Sequence, residues 1–361
     1  AAGKGFVAFS SSKPLLESVF GRKPRRSLAA TPEFRYLTGK LPPGGLAEVY
    51  IDLRFVSSLK NTRTTRAAGR LGDSEFFSKL QGWKGLAGSL RAEDSGLGLE
   101  MLMHSDPMAV AEFADSPPLS QAVLDGVSAN ALGFMAFHVP RGFYEEILSG
   151  LGDSLAALEG GDIDLGRDVF SWLGGEVSLV VVPAGATRGI FPVGAYFSVA
   201  TTQPSAAATG MRKLSEAAAD LLGPEVVFEI RSIAGKDWTV LRSGESGPAL
   251  GGYAIDPSGL RVALGQAGLE EAASHSAITS ATSYRAVVAH LSPRSTSLAY
   301  VDVAGSLGVA RRLLKPAEQA EWDEEIGPVL GKLDALAVSG AFPLVDKDGL
   351  MRMSAFLTVK P

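Results

Sequence analysis

The chain contains an internal repeat, which constrains its fold more than any other feature of the sequence. Residues 31–53 align with residues 281–303 without a gap, at a constant offset of 250 positions. A repeated sequence indicates that one structural unit occurs twice. The two segments share these pairs of identical residues: Arg35 and Arg285, Leu41 and Leu291, Pro43 and Pro293, Tyr50 and Tyr300, and Asp52 and Asp302.

Each copy combines a helix with strands. Residues 31–33 (Thr-Pro-Glu) join a capping residue, a proline and an acid, which is typical of a helix start. Residues 46–53 are predicted to form a strand, and residues 85–103 a hairpin around an acidic, glycine-ended turn. Residues 336–359 repeat this hairpin pattern. We therefore predict an α+β fold with two tandem copies of a strand-helix unit on antiparallel sheets.

The two copies differ in length. We expect a first, incomplete unit at residues 1–129, a middle connecting region at 130–190, and a second, complete unit at 191–361. Residues 191–258 have no counterpart in front of Phe6, so the first copy is predicted to be truncated at its N-terminus. The absence of a start Met fits a processed or trimmed end. An exposed sheet edge there would favour pairing with a strand from another segment or chain.

Composition excludes several classes of protein. The 361 residues include no cysteine, which excludes disulfides, thiolate metal sites and cysteine nucleophiles. No apolar run approaches the roughly 18 residues that a membrane helix needs. The net charge of −5 is unevenly distributed, because residues 1–90 hold 15 basic and 6 acidic residues. The remaining residues hold 19 basic and 33 acidic ones.

The basic residues of the first part form a candidate interaction surface. Such a positive segment suggests an anionic partner, or attraction to the acidic part of the same molecule. Aromatic residues are not interleaved with these charges, as they are in proteins that bind single-stranded nucleic acid. We therefore expect a protein partner or an anionic surface of glycan or lipid headgroups, and not nucleic acid. The candidate surface comprises Arg22, Lys23, Arg25, Arg26, Arg63, Arg66 and Arg70.

Catalytic and cofactor motifs are matched only in outline. Residues 152–155 (Gly-Asp-Ser-Leu) spell a lipase signature, but the chain has no downstream Asp-x-x-His pair, so helix capping explains them better. Residues 327–332 are one position short of a phosphate loop, and Leu333 replaces its hydroxyl residue. The histidines lack metal-ligand spacing. We predict no catalytic residue, no cofactor and no metal site. The four histidines are His104, His138, His275 and His290.

The repeated aspartates leave two interpretations open. Asp52 and Asp302 occupy the same place in a Tyr-x-Asp strand, and two such carboxylates could form an acid/base pair. Alternatively, each accepts a hydrogen bond from the repeated arginine or caps the helix that follows. We favour a framework role for these aspartates and for the matching Tyr50 and Tyr300.

Several motifs resemble one known family. They are the Phe-Ser-Trp-Leu-Gly-Gly-Glu segment at 170–176, Pro-Val-Gly-Ala-Tyr at 192–196 before an alanine-rich helix, and the Tyr-Ala-Ile-Asp-Pro-Ser-Gly segment at 253–259. Together with the Tyr-x-Asp strands, they resemble the bacterial DUF3352 family. The resemblance implies an extracytoplasmic region behind an amino-terminal anchor or export signal. It implies no activity and no catalytic residues.

These observations favour a non-enzymatic protein of the bacterial cell envelope or surface. It would act as a scaffold or binding module, or as a subunit of a larger assembly. The alternative is an extracytoplasmic hydrolase. That enzyme would need a cleft joining the paired carboxylates Asp52 and Asp302, or a histidine beside a serine.

Overall fold

The chain folds around one large antiparallel sheet with helices packed against it. The computed structural model describes residues 2–3, 6–7, 28–54, 82–110, 117–139, 163–184, 193–223, 225–244, 246–292, 295–341 and 349–360. Two short strands, β1 (Ala2–Gly3) and β2 (Phe6–Val7), pair with each other in a separate sheet. The mixed helix and strand content confirms the α+β prediction.

Thirteen strands build the large sheet. They are β3 (Ala47–Asp52), β4 (Trp83–Glu93), β5 (Gly96–Ser105), β6 (Gly133–His138), β7 (Leu173–Pro183), β8 (Val193–Thr201), β9 (Val226–Ile233), β10 (Lys236–Ser243), β11 (Ala249–Asp256), β12 (Gly259–Leu264), β13 (Ser297–Asp302), β14 (Leu333–Ala341) and β15 (Leu350–Val359). Their order across the sheet is β3-β4-β5-β15-β14-β13-β6-β7-β8-β12-β11-β10-β9. Every neighbouring pair is antiparallel.

The helices are short, with one exception of 19 residues. In the described part of the chain, no helix is both long and apolar enough to cross a membrane. Single helical turns lie at Leu28–Ala30, Pro107–Val110, Phe170–Trp172 and Ile278–Ser280, and a wider turn at Trp322–Ile326. The α-helices are α1 (Pro32–Thr38), α2 (Gln121–Asp125), α3 (Leu165–Asp168), α4 (Pro204–Leu222), α5 (Gly265–Ala273), α6 (Thr282–Val288), α7 (Val303–Leu313), α8 (Pro316–Glu321) and α9 (Gly327–Leu330).

A row of large side chains across four central strands forms the main core. Tyr300 lies opposite Phe134, which lies opposite Val180, which lies opposite Tyr196. All four are at most 5% exposed, and helices α5 and α6 pack over this face of the sheet. Because opposite residues in paired strands project to the same face, a single face of the sheet builds this core.

Equivalent elements keep the sequence offset of the repeat. Helix α1 begins and ends 250 residues before α6 does. Strand β3 likewise begins and ends 250 residues before β13 does, which is the offset of the aligned sequences. Asp52 lies opposite Gly85 in the β3–β4 pair, and Asp302 lies opposite Ala335 in the β13–β14 pair. The partner positions Gly85 and Ala335 therefore keep that offset too.

Strands β3, β4 and β5 join the rest of the sheet through the pairing of β5 with β15. Glu100 lies opposite Ser354 at the middle of this pair, which runs from Leu350 opposite His104 to Thr358 opposite Gly96. Strands β6 and β7, from the region expected to connect two units, lie within the same sheet between β13 and β8. The division at residues 129 and 190 stays a prediction.

Replacing Asp302 tests how much the cap of α7 stabilises the fold. The Asp302 carboxylate accepts a hydrogen bond from the Gly305 N–H at 2.8 Å. We expect Asp302→Ala to lower the free energy of unfolding by about 1 kcal/mol, the usual cost of losing an N-cap. Asp302→Asn keeps an acceptor and should lose less than half of that, as measured by urea unfolding. Equal losses in both variants would contradict capping as the main role.

Asp256 should make stability depend on pH in the acid range. Burial alone would raise its pKa, but hydrogen bonds from Ser258 and Lys236 lower the pKa to about 2. A lowered folded-state pKa contributes stability above the unfolded value of about 4, and this contribution disappears as the pH falls towards 2. We expect Asp256→Asn to be less stable than wild type at pH 7 and to converge with it at pH 2 in urea titrations. A constant difference across that range would argue against this prediction.

Candidate functional site

A serine, a histidine and a carboxylate meet near the paired strands β5 and β15. Glu93 ends β4, and Ser95 lies in the turn before β5. His290 follows the last turn of α6 and stacks on Phe356 of β15, with ring centroids 3.7 Å apart and the planes 3° from parallel. The stacked ring of Phe356 holds the imidazole plane beside the β4–β5 turn.

The hydrogen bonds of this cluster form a continuous relay. His290 Nε2 lies 3.2 Å from Ser95 Oγ, and His290 Nδ1 lies 3.1 Å from Glu93 Oε2. Both contacts are satisfied when Nδ1 carries the proton and Nε2 accepts from the serine hydroxyl. Arg91 Nη2 lies 3.8 Å from the other oxygen of Glu93.

This arrangement has the order of groups found in acyl-transfer triads: nucleophile, base and orienting carboxylate. Its setting is open, because Ser95 is exposed and the side chains of His290 and Glu93 are 28% and 34% exposed. The same contacts also tie the end of α6 to the β4–β5 turn. The geometry is therefore compatible with a catalytic role, and equally with a structural role in which these contacts attach α6 to the β4–β5 turn.

A second serine and histidine lie near one carboxylate, with different connections. The Ser120 hydroxyl and N–H both donate to Glu176, at 2.6 and 2.7 Å. His138 Nε2 lies 3.3 Å from Glu176 and 3.3 Å from the Pro118 carbonyl oxygen. Since the serine donates to the carboxylate and not to the histidine, this cluster lacks a nucleophile–base contact.

A cavity of about 430 Å³ lies beside Asp302. Its polar groups are largely hydrogen-bonded within the protein. Glu271 accepts from Ser128 Oγ at 2.6 Å and from Asn130 Nδ2 at 3.0 Å, and Asp302 caps α7. Glu270 and Arg312 also line the cavity. Across the described ranges, no three His, Asp or Glu side chains are grouped closely enough to hold a metal ion.

The two repeated aspartates lie on distant strands. Strands β3 and β13 are five positions apart in the sheet, a lateral separation of about 24 Å at about 4.8 Å per step. They also run in opposite directions, so the strand ends bearing Asp52 and Asp302 point to opposite sides of the sheet along the strand direction. Asp52 forms an ion pair with Arg54, with its Oδ2 2.7 Å from Nη2. Arg35, by contrast, donates to the Ala30 carbonyl oxygen.

The repeated tyrosines have similar positions but different surroundings. Tyr300 is buried, donates to or accepts from Ser283 Oγ at 2.9 Å, and has its pKa raised by burial to about 12. Tyr50 is half-buried, and burial also raises its pKa. The nearby charge of Asp52 adds to this rise in the pKa of Tyr50, whereas Arg54 opposes it.

Some predicted features fall outside the described residues. The lipase-like segment at 152–155 is one of them. Residues 327–332, the segment resembling a phosphate loop, fold as the short helix α9 and the turn before β14. The whole candidate basic surface also lies outside: Arg22, Lys23, Arg25, Arg26, Arg63, Arg66 and Arg70.

Sequence reasoning missed the contact between Ser95 and His290. Glu93 and Ser95 fit an ordinary hairpin turn, and His290 fits the end of a helix. The two side chains are 195 residues apart in sequence and meet only because β5 pairs with β15. The one available signal was the acidic turn, which placed a serine and a carboxylate two residues apart.

One large antiparallel sheet with helices packed against it defines the class of this protein more clearly than any site does. The model of the family described as "Protein of unknown function (DUF3352)" matches residues 1–359, so the chain belongs to that family. No curated protein matches the sequence. A crystal structure of selenomethionine derivatives of domains 2 and 3 of RctB is 9% identical over 76% of this chain and 91% of that one. Its TM-score against this chain is 0.08.

Proposed function

We propose that this chain is a non-enzymatic binding or scaffold module of the bacterial cell envelope, and a subunit of a larger assembly. We also propose that it contains two copies of one strand-helix unit, the first of them incomplete. The offset that helix, strand and register share with the aligned sequences supports this duplication. The envelope location follows from the family resemblance drawn from the sequence.

The observation that carries the binding role is the difference between equivalent strands. Strand β13 pairs with β14 on one side and with β6 on the other. Strand β3 pairs with β4, and no other strand of the described residues lies along its outer edge. On the face of β3 opposite Tyr50, Val49 and Ile51 are 49% and 43% exposed. An unpaired strand edge with exposed apolar side chains is a ready site for association.

The basic residues at 22–26 and 63–70 suggest a second contact, with an acidic protein surface or with anionic glycan or lipid headgroups. Salt weakens contacts between exposed charges, because the Debye length falls to about 3 Å at 1 M ionic strength. A contact of this kind should therefore loosen in concentrated salt, whereas strand pairing should persist.

Fractionation of the native host tests the proposed function. We expect the tagged protein to sediment with the envelope and, after mild detergent extraction, to elute at a mass well above the 37.6 kDa of this chain. Light scattering in 1 M salt should then show whether charged contacts hold part of the assembly. A monomer recovered from the cytosol would contradict both the location and the assembly.

A specific observation favours hydrolase activity as the second candidate function. The paired-carboxylate version has little support, since glycosidase carboxylates lie within about 10 Å of each other. The serine version rests on the relay through His290. There, Ser95 Oγ would attack an acyl carbon while its proton passes to Nε2 and then to the leaving group. Water, deprotonated by the same nitrogen, would release the acid and restore Ser95.

Activated esters test this second candidate. If the relay is catalytic, Ser95→Ala should lower kcat/KM for p-nitrophenyl acetate at least 100-fold, because it removes the nucleophile. Ser120→Ala is the matched control, since the hydroxyl of that serine donates to Glu176 and not to a histidine. Equal hydrolysis by wild type and Ser95→Ala would exclude the hydrolase and leave His290 with a structural role.

A further inference from the structure

A pair of packed aromatic rings occurs at equivalent positions of the aligned segments 31–53 and 281–303. These segments, with the strands that follow them, are called the first half and the second half below. Phe34 of α1 meets Tyr50 of β3 edge to face, with centroids 5.2 Å apart and planes at 78°. Tyr284 of α6 meets Tyr300 of β13 in the same way, at 5.5 Å and 76°. The helix-on-strand packing of the first half is therefore built as in the second.

A third ring completes the cluster in the second half. Phe134 of β6 lies opposite Tyr300 in the strand pair, and its ring centroid is 5.7 Å from Tyr300 and 5.9 Å from Tyr284. With this strand in place, Tyr300 and Tyr284 are only 2% and 5% exposed.

The first half has the same two rings without the third. Phe34 and Tyr50 are half-buried, and no described residue occupies the position that Phe134 holds beside Tyr300. The packing around Tyr300 thus indicates which kind of side chain would fit beside Tyr50 at the position that no described residue occupies.

We propose that the outer edge of β3 binds an antiparallel strand from a partner polypeptide, with an aromatic residue opposite Tyr50. This proposal rests on the proposed binding function and names the partner by its chemistry. Backbone hydrogen bonds to β3 supply the pairing, and the aromatic residue fills the site between Phe34 and Tyr50.

The charge of β3 further specifies the partner strand. Glu48 is exposed and lies two residues before Tyr50, on the same face of the strand. Its equivalent in β13 is Leu298, which lies opposite Ala136. The partner strand therefore carries a basic residue two positions after its aromatic residue, where Ala136 follows Phe134 in β6.

A second copy of this chain fits the edge poorly. Pairing two β3 strands with Tyr50 opposite Tyr50 would place Glu48 opposite Asp52 at both ends. Like charges directly opposite each other destabilise a strand pair. The proposed occupant is accordingly a different strand, and self-association is an outcome that the experiment must distinguish.

The probe is a fluorescein-labelled peptide with the sequence of residues 131–139 and the change Ala136→Lys, titrated into the whole chain. We expect a saturable rise in anisotropy. Replacing Phe134 by Ala in the peptide should weaken binding roughly tenfold, the upper range for an aromatic pair. Two peptides methylated on the two alternate sets of backbone nitrogens should differ in affinity. Methylation weakens binding only where the N–H groups face β3.

Variants of the protein locate the site. Tyr50→Ala should weaken binding about as much as the peptide change does. Glu48→Lys changes an exposed position. It should weaken binding of the Lys-containing peptide but not of the parent peptide with Ala136. Ile230→Ala is the matched control on β9, the opposite edge strand, where Ile230 is 77% exposed; it should leave binding unchanged.

Several outcomes would overturn the proposal. They are absence of saturable binding, equal effects of the two methylation patterns, and loss of binding in Ile230→Ala with none in Glu48→Lys. If the free protein dimerises and Glu48→Lys changes that dimerisation, the edge of β3 binds a second copy of this chain instead. Failure of the proposed function is distinguishable, because a cytosolic monomer that still binds the peptide contradicts the envelope assembly and not the β3 site.

Discussion

The backbone pairing of β5 with β15 is the constraint on which the rest of the structure depends. It joins strands from the first and last parts of the sequence and turns two groups of strands into one continuous sheet. It also places β5 and β15 inside the sheet, whose edge strands among the described residues are β3 and β9. Pairing across so large a sequence separation has a high entropic cost of loop closure, which the buried core must offset.

The candidate site follows from this pairing, whereas the open edge of β3 has a separate cause. Ser95 meets His290 because the β4–β5 turn is brought beside the end of α6, where Phe356 of β15 supports the imidazole. Strand β3 is left at an edge because the described residues of the first half include no equivalent of β6. The relay suits the hydrolase, whereas the open edge suits the binding module, so measurements on Ser95 and on Tyr50 address the two functions independently.

Local features were the most predictable from sequence. The helix after Thr31 follows from the proline at its first position, since the Thr31 side chain makes no capping hydrogen bond. The Tyr-x-Asp strands and the hairpin turn at Glu93 follow from alternation and turn preferences among neighbouring residues. The cap at Asp302 belongs to the same class. The cluster of Glu93, Ser95 and His290 could not be predicted, since each residue alone suits an ordinary turn or helix end.

The sequence by itself determined the α+β class, the family and the positions of most repeated elements, because these depend on residues close together in the chain. Only the tertiary structure decided the order of the strands, the distance between Asp52 and Asp302, and which of β3 and β13 has a second neighbour among the described strands. The physical reason is that backbone hydrogen bonds between strands are nearly independent of side-chain identity. Strand order therefore depends on how the whole core packs, and β3 and β13 receive different neighbours despite similar sequences.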